Sequence, residues 1–352
     1  MASMVSFVEP RVAEVVAEDE RPVGPGEVRL RTLFTGISAG TELTAYRGTN
    51  PYLNRYWDSG ARLFRPGDTS LTFPVNGWGY EEVGVVVETG PDTDGVAVGD
   101  ISWGTWGHRT HTVQPVEKVL RKLLPPGADP RLGIFSQIGA IGLNLVLDAD
   151  IHVGETVVIF GAGVPGQIAA QLARLNGGRV IIVDKIADRR ARALDLGADL
   201  ALDPDEGPIA ERVRELTDGR GADVCLEVTG HYPALHEAIR TVAYNARVCV
   251  AGFMQGEGAG LRLGEEFHHN RVSLICSQIS GVSPALQGRW DFERLSRTAI
   301  ELGVAGRLKL TELITHTWPF DKAAEAFRLL DEHPEQALQV VLEVDDDAKE
   351  QV

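Results

Sequence analysis

The stretch Thr156-Val-Val-Ile-Phe-Gly161-Ala-Gly163-Val-Pro-Gly166, running on through a helical segment to Arg179-Val-Ile-Ile-Val-Asp184, decides the fold. Residues 156–160 form an unbroken, mostly β-branched apolar run, suited to a strand buried on both faces. Gly161-x-Gly163-x-x-Gly166 follows, then an alanine- and leucine-rich helical segment from Val164 to Leu175, then a second buried strand that ends in Asp184. Gly161 permits a tight turn, Gly163 lets a pyrophosphate approach the backbone, and Gly166 lets the helix pack close to the strand. The helix start, which includes Val164 and Pro165, offers the unpaired N–H groups of its non-proline residues and a partial positive charge to a phosphate. Asp184 sits where a carboxylate can accept ribose hydroxyls and repel a 2′-phosphate, so NAD is expected over NADP. Lys185 and Arg189 are the residues that could meet a phosphate instead.

Working outward, residues from Ser136 alternate between strands and helices, which implies a doubly wound parallel sheet. Expected helices are Ser136–Ala149, Ala187–Leu196, Ile209–Thr217 and Pro233–Val242. Expected strands are Val224–Val228, Arg247–Ala251 and Val272–Ser277. Thr229, Ser277 and Gln278 follow such strands and face the crevice where ligands bind. Residues 1 to 135 are rich in glycine and proline with short alternating runs, as in Val28–Leu33 and Val83–Val87, and read as all-β. Asn50–Gly67 reads as a long loop carrying Tyr52, Tyr56, Trp57 and Phe64. After a helix at Phe292–Leu302 come a strand-like stretch near Leu313, a helix at Ala323–Leu330 and a last strand at Ala337–Val344. This tail is expected to rejoin the first domain. The division is therefore 1–135 with 286–352, and 136–285.

The 352 residues suit two domains, and 43% hydrophobic content supports sizeable cores. A net charge of −16 argues against a nucleic-acid or anionic-membrane partner. The Asp345-Asp346-Asp347 run reads as a solvated tail. Cys225, Cys249 and Cys276 lie in separate apolar runs and read as buried free thiols, which disfavours disulfides and a secreted context. With no signal pattern and no apolar run of about twenty residues, a cytoplasmic protein with no membrane span is expected.

Four segments together resemble the medium-chain dehydrogenase/reductase superfamily. Gly36-Ile-Ser38-Ala-Gly-Thr41-Glu42 is similar to its first active-site loop, and Gly79-Tyr80-Glu81 to its Gly-His-Glu stretch. Val98-Gly99-Asp100 is similar to its valine-glycine-aspartate turn. The fourth is the glycine fingerprint with Asp184. The resemblance implies a GroES-like β domain built from both chain ends and a Rossmann domain between them in sequence. It also implies a homodimer or homotetramer, paired through the last strand of the nucleotide sheet near Leu274–Ile279.

The departures from that pattern bear on chemistry. Zinc-dependent relatives hold the metal with Cys, His and Glu or Cys, leaving one position open. Here the corresponding places fall at Ser38 or Ala39, at Tyr80 and near Gln137, none a usual zinc ligand. No cysteine precedes Cys225, so the clustered cysteines of a structural zinc lobe are missing too. No zinc is therefore expected, and the loop resembles a zinc-lacking branch of the superfamily. Glu81, His108 and His111 remain as candidates for an unrecognised site, though both histidines read as loop or surface residues.

Hydride transfer to a ketone leaves an oxyanion that must be stabilised and protonated. Without a metal, a positioned hydroxyl is the next candidate. Tyr80 stands in the place of the lost histidine and is the candidate acid, and a nearby cation would lower its pKa. Thr41 matches the family's relay hydroxyl, and Glu81 is a candidate base or loop-orienting group. Ser38 is a substrate-side candidate, and Trp57, Trp78 and Trp106 could wall a sugar ring or planar substrate. The expected function is a zinc-independent, NAD-preferring oxidoreductase of a secondary alcohol or ketone, a polyol, cyclitol or sugar derivative first. The alternatives are a zinc-free reductase of activated C=C bonds, like the quinone-reductase branch, and a nucleotide-binding protein without turnover.

Overall fold

The computed structural model describes residues 2–344, so the acidic run at 345–347 lies outside the described residues. The chain divides into two compact units, one of residues up to Gln137 together with those from Ile314 onward, the other Ile138–Leu313.

In chain order the first unit contributes β1 (Ala2–Glu9), β2 (Val12–Glu18), β3 (Glu27–Ile37), β4 (Tyr56–Asp58), β5 (Leu63–Arg65), β6 (Val75–Asn76), β7 (Glu82–Thr89), β8 (Ile101–Gly104) and β9 (His111–Pro115). The second contributes β10 (Thr156–Phe160), β11 (Arg179–Val183), β12 (Leu200–Leu202), β13 (Ala222–Glu227), β14 (Val242–Val250) and β15 (Ser273–Cys276). The chain then returns to the first unit with β16 (Ile314–Pro319) and β17 (Gln339–Glu343).

The first unit is a β structure whose larger sheet runs β16-β17-β3-β7-β8, with β9 also on β3. Strand β17 pairs antiparallel with β3, setting Val340 opposite Ile37. A core of Val5, Phe7, Leu43, Tyr46, Phe327 and Leu342 draws on both chain ends. Asn50–Gly67 is more ordered than a loop. Tyr56–Asp58 and Leu63–Arg65 pair as a small antiparallel hairpin. Aromatic packing drives it, with Phe64 against Trp57 at 4.9 Å and Tyr52 at 5.6 Å between ring centroids.

The second unit is a six-stranded sheet in the order β12-β11-β10-β13-β14-β15. All its pairings are parallel. Strand order reverses between β10 and β13, which creates a crevice at the strand ends. Every residue of β10 is buried, as the unbroken apolar run requires. The domain boundary falls later than expected. Residues 286–313 group with the second unit, because the helix Phe292–Val304 buries Leu295, Ala299 and Ile300. A Cβ at Gly139 would lie 2.7 Å from that of Ala299, so the absent side chain lets this helix seat against Phe135–Asp148.

Two further expectations need correction. Cys225 and Cys249 are buried free thiols, but Cys276 is exposed on the edge strand β15. The run Pro130–Asp148 has 19 residues and mean hydropathy 1.2, enough by length and composition to cross a membrane. It is 72% buried in the protein, as a core helix would be.

Candidate active site

The nucleotide cradle follows from the glycine spacing. Gly161 has φ +104°, a conformation open to glycine and costly for other residues. Its N–H donates to Val183 O at 2.8 Å, closing the turn after β10. A Cβ on Gly166 would fall on the Gly161 carbonyl oxygen, so the helix Val164–Leu175 can approach only without one. At Gly163 the nearest atom to an added Cβ is Pro165 Cδ at 3.9 Å. No side chain caps this helix start, so its first-turn N–H groups face an open approach.

Asp184 follows β11 as expected. Its Oδ2 accepts from Ala162 N at 2.7 Å and its Oδ1 from Ile186 N at 2.8 Å. A carboxylate has about four acceptor positions, so capacity for ribose hydroxyls remains. Lys185 is exposed and pairs with Asp205 at 3.7 Å. The Arg189 carbonyl accepts from the Gln167 side chain at 2.8 Å, and that amide also reaches Ala162 O at 3.2 Å. Gln167 thus ties the glycine loop to the next helix, a role the sequence reading missed. Arg190 was missed too: it donates to Asp184 O at 2.7 Å and pairs with Asp203 at 2.8 Å.

At the end of β13, buried Glu227 accepts from Thr229 N at 2.7 Å and from the Thr229 hydroxyl, so it holds the turn that presents Thr229. Burial pushes the Glu227 carboxyl up, with the Thr229 donors partly offsetting it. Ser277 is buried beyond β15, with Asn144 Nδ2 at 3.4 Å from its hydroxyl. Gln278 is exposed and accepts from Ser280 N at 2.7 Å. The fingerprint glycines, the uncapped helix start and Asp184 are together the parts a dinucleotide needs.

The first unit gathers hydroxyls. Ser38 follows β3, Thr41 precedes the short helix Glu42–Tyr46, and Tyr80 leads into β7. The Tyr80 hydroxyl bonds to the Ser38 hydroxyl and donates to Thr41 Oγ1 at 3.2 Å. Behind them lie Glu42, Glu81, Glu82 and His108, all with no solvent exposure. Glu42 Oε1 accepts from Ser38 N at 3.0 Å, and Oε2 lies 2.6 Å from His108 Nε2. His108 Nδ1 is 2.7 Å from Thr35 Oγ1, which donates to Glu82 Oε1 at 3.3 Å. Glu82 also accepts from Glu81 N at 3.1 Å and Trp106 N at 2.7 Å. Glu81 Oε2 accepts from Gln339 at 3.2 Å, while its Oε1, buried, has no partner.

Glu42 and Glu82 share one imidazole while Glu81 has none, and unpaired buried anions are costly. Burial opposes charge on His108, but the charge and hydrogen bond of Glu42, with Glu82, outweigh it and raise its pKa. Burial and the neighbouring Glu42 and Glu82 hold Glu81 well above the carboxylate range. Glu82 is pushed up to about 7, burial outweighing His108 and the Trp106 N–H. Burial and the charge of Glu81 push the Tyr80 phenol up, so Tyr80 stays protonated. The cation that would lower its pKa is not among the groups acting on it, and its neighbours are acidic. His108 therefore lies in the loop between β8 and β9, as expected, but it is buried and not a surface residue. His111 is half-buried on β9, beside Thr110 at 3.1 Å.

The tryptophans are dispersed. Trp57 packs on the hairpin and Trp78 against the core around Phe7 and Phe327. The Trp106 ring is half-buried and goes in part to packing. Its N–H donates to Thr32 at 3.0 Å, and its ring covers Gly104 beside Val28, Leu30 and Val86.

The superfamily's catalytic zinc can be tested against this donor set. Zinc takes thiolate, imidazole or carboxylate ligands. Ser38, Thr41 and Tyr80 offer neutral hydroxyls that already bond to one another, and the nearest imidazole is closed off by Thr35 and Glu42. Glu81 Oε1 is an unpaired carboxylate oxygen, but among the described residues no three His, Cys, Asp or Glu ligand atoms gather here, so these residues do not fit the metal.

The comparisons agree with this architecture. The family model described as zinc-binding dehydrogenase matches residues 165–293, a stretch that includes none of the hydroxyl cluster. The D-guloside 3-dehydrogenase of Escherichia coli K12 is 31% identical over 339 residues, covering 94% of this chain and 97% of that protein. An L-threonine 3-dehydrogenase of Pyrococcus abyssi is 29% identical over 350 residues, with 90% and 92% covered. The structure of 2R,3R-butanediol dehydrogenase from Bacillus subtilis superposes with a TM-score of 0.78 at 19% identity, covering 98% of this chain and 100% of that one. At that identity the superposition speaks for the fold alone. The α/β fold, with its doubly wound sheet and separate β unit, is that of an alcohol dehydrogenase-like oxidoreductase. The chain belongs to the medium-chain dehydrogenase/reductase superfamily.

Proposed function

We propose that this protein is an NAD-dependent, zinc-independent dehydrogenase of a secondary alcohol on a polyol or sugar derivative. The observation that carries the reading is the Ser38–Tyr80–Thr41 hydroxyl cluster, in which Ser38 and Tyr80 stand where zinc-dependent relatives are expected to hold a metal and Thr41 where they are expected to carry a relay hydroxyl. The substrate class draws support from relatives named for a guloside and for sorbitol.

The dinucleotide would be held by the glycine loop, the first turn of Val164–Leu175 and Asp184. Bound there, it supplies hydride exchange with the substrate carbon. An acidic surrounding of Asp184, Asp203 and Asp205 favours NAD, since a 2′-phosphate would have to displace the Lys185–Asp205 and Arg190–Asp203 pairs. In the reducing direction the protonated Tyr80 phenol donates its hydrogen bond, then its proton, to the developing alkoxide. Ser38 or Thr41 passes a proton back to Tyr80 from solvent. In the oxidising direction the same hydroxyls carry the alcohol proton away. Neutral donors polarise the carbonyl less than a metal would, so the chemistry leans on orientation.

The sheet edge at β15, with Leu274 exposed, supports a homodimer paired along that strand. Three free thiols support a reducing, cytoplasmic setting.

The test is a panel of methyl D-guloside, sorbitol, myo-inositol and 2,3-butanediol with NAD or NADP, set beside enones and a quinone with NADH. Reduction of NAD by one of the alcohols supports the reading. Turnover of the enones or quinone alone replaces it with C=C or quinone reduction. Tight NAD binding with no turnover at all makes the protein a nucleotide-binding module.

A further inference from the structure

We propose that Glu42 and His108 are positioning residues that set the reactivity of Tyr80 by fixing the loop that carries Ser38 and Thr41. The inference rests on the assignment of Tyr80 as the acid.

Ser38 and Thr41 approach the Tyr80 hydroxyl from a single loop, so its geometry depends on how that loop is closed. The backbone contributes Glu42 N to Ser38 O at 2.9 Å. The Glu42 side chain contributes a second closure, to Ser38 N at 3.0 Å. Its other oxygen is pinned at 2.6 Å by His108, so one carboxylate bridges the loop and the interior.

His108 is fixed in turn from every side. Its carbonyl accepts from Val5 N on β1 at 2.9 Å, and Thr35 on β3 holds Nδ1 at 2.7 Å. Its ring meets Phe327 edge-on at 5.7 Å. A Cβ at Gly79 would come within 2.9 Å of Nε2, so the residue preceding Tyr80 is small where the ring packs. The imidazole therefore holds the Ser38–Glu42 loop through Glu42, and it packs where Gly79, next to Tyr80, leaves room for it. Neither residue reaches the reacting atoms. Their effect on turnover passes through the hydroxyls.

Substitutions that change one contact at a time test this. A glutamine at 108 can place its amide nitrogen near the Nε2 position and keep the bond to Glu42, whereas an asparagine reaches only toward Thr35. The variants are Glu42→Gln, His108→Gln, His108→Asn, Tyr80→Phe and the double Tyr80→Phe/Glu42→Gln. They are assayed with whichever alcohol of the panel the wild type oxidises fastest, with NAD affinity read separately by fluorescence titration. Glu42→Gln and His108→Asn should lower kcat by about ten- to a hundredfold, with KM and NAD affinity within about twofold. His108→Gln should recover most of the loss. In the Tyr80→Phe background Glu42→Gln should cost no more than about twofold, because the hydroxyl it acts through is gone.

Equal losses for His108→Gln and His108→Asn, or a Glu42→Gln loss that persists undiminished without the Tyr80 hydroxyl, would overturn the inference and leave a structural role. Should Glu42→Gln fail to fold, the His108 pair carries the test alone, since both retain Glu42. An impaired Tyr80→Phe beside an unimpaired Glu42→Gln removes only this inference. An unimpaired Tyr80→Phe, or a wild type that turns over no alcohol of the panel, removes it together with the proposed mechanism.

Discussion

The two units treat their carboxylates in opposite ways. Asp184 stands at a strand end, half-exposed, with both oxygens accepting backbone N–H groups of its own βαβ unit. Glu42, Glu81 and Glu82 are sealed in the first unit, Glu42 and Glu82 beside one imidazole and bonded to the Ser38 and Thr35 segments, Glu81 to Gln339. The first arrangement is made by backbone, so almost any sequence with the right glycines builds it. The second joins side chains from separate segments to the backbone N–H groups of Ser38, Glu81 and Trp106, so it needs partners that are far apart in sequence. The nucleotide site should therefore tolerate change that the hydroxyl cluster does not.

The largest effect expected on this contrast is at Tyr80. Tyr80→Phe deletes one oxygen from the cluster and nothing from the nucleotide unit. Turnover should fall by about a hundredfold or more, the usual contribution of a positioned acid, while NAD affinity stays unchanged. Full turnover in the variant would reduce the cluster to packing. In the same direction, prolonged dialysis against a chelator should leave wild-type turnover intact. One zinc per chain, lost together with activity, would break the contrast entirely, because a metal would then stand where hydroxyls are assigned the work.

What was legible in the sequence divides along the same line. The β10–helix–β11 unit announced itself through period and spacing, since a buried parallel strand and a glycine turn are local properties. Strand β12, only Leu200–Leu202, lacks the length to show a pattern. The hairpin at Tyr56–Arg65 is held by ring contacts with no alternation to read. Tyr80, Thr41 and Ser38 could be found because they stand at positions of a known motif. His108 is a candidate in the sequence, but its place behind the cluster is not legible there, because its two partners lie sixty-six and seventy-three residues away and only the folded sheet brings them to the ring. Trp106 shows the converse: an aromatic near the motif reads as a wall, and in the fold its N–H and part of its ring are also used inside.

A sealed cluster also leaves a mark on stability. Glu82 titrates near pH 7 in the folded protein against a reference of 4.5, chiefly through burial. The folded state then holds a proton that the unfolded chain releases between those values, so stability falls as pH rises through that window. The span is on the order of 3 kcal/mol. Glu81, raised by burial and its acidic neighbours, acts in the same direction. So does His108, whose raised value yields stability present below its unfolded pKa and lost as pH climbs through the folded one. Urea unfolding should show the wild type less stable at pH 8 than at pH 5, and Glu82→Gln should shrink that difference. A difference of the same size in the variant would mean that Glu82 does not carry it.

The smallest effect sharpens the comparison from the other side. Asp184→Ala removes a charge and also two backbone tethers, to Ala162 and Ile186, so both cofactors should bind less well. Asp184→Asn separates the two roles: its amide oxygen can still accept from one N–H, while the charge that repels a 2′-phosphate is gone. The ratio of NAD to NADP affinity should move toward NADP by about tenfold in both variants, or about 1.4 kcal/mol. Absolute NAD affinity should suffer more in the alanine variant than in the asparagine one. If both variants keep the wild-type ratio, selectivity comes from the Lys185–Asp205 and Arg190–Asp203 pairs and not from Asp184. Turnover at saturating NAD should remain near wild type in the asparagine variant, because that substitution touches a site the backbone largely builds.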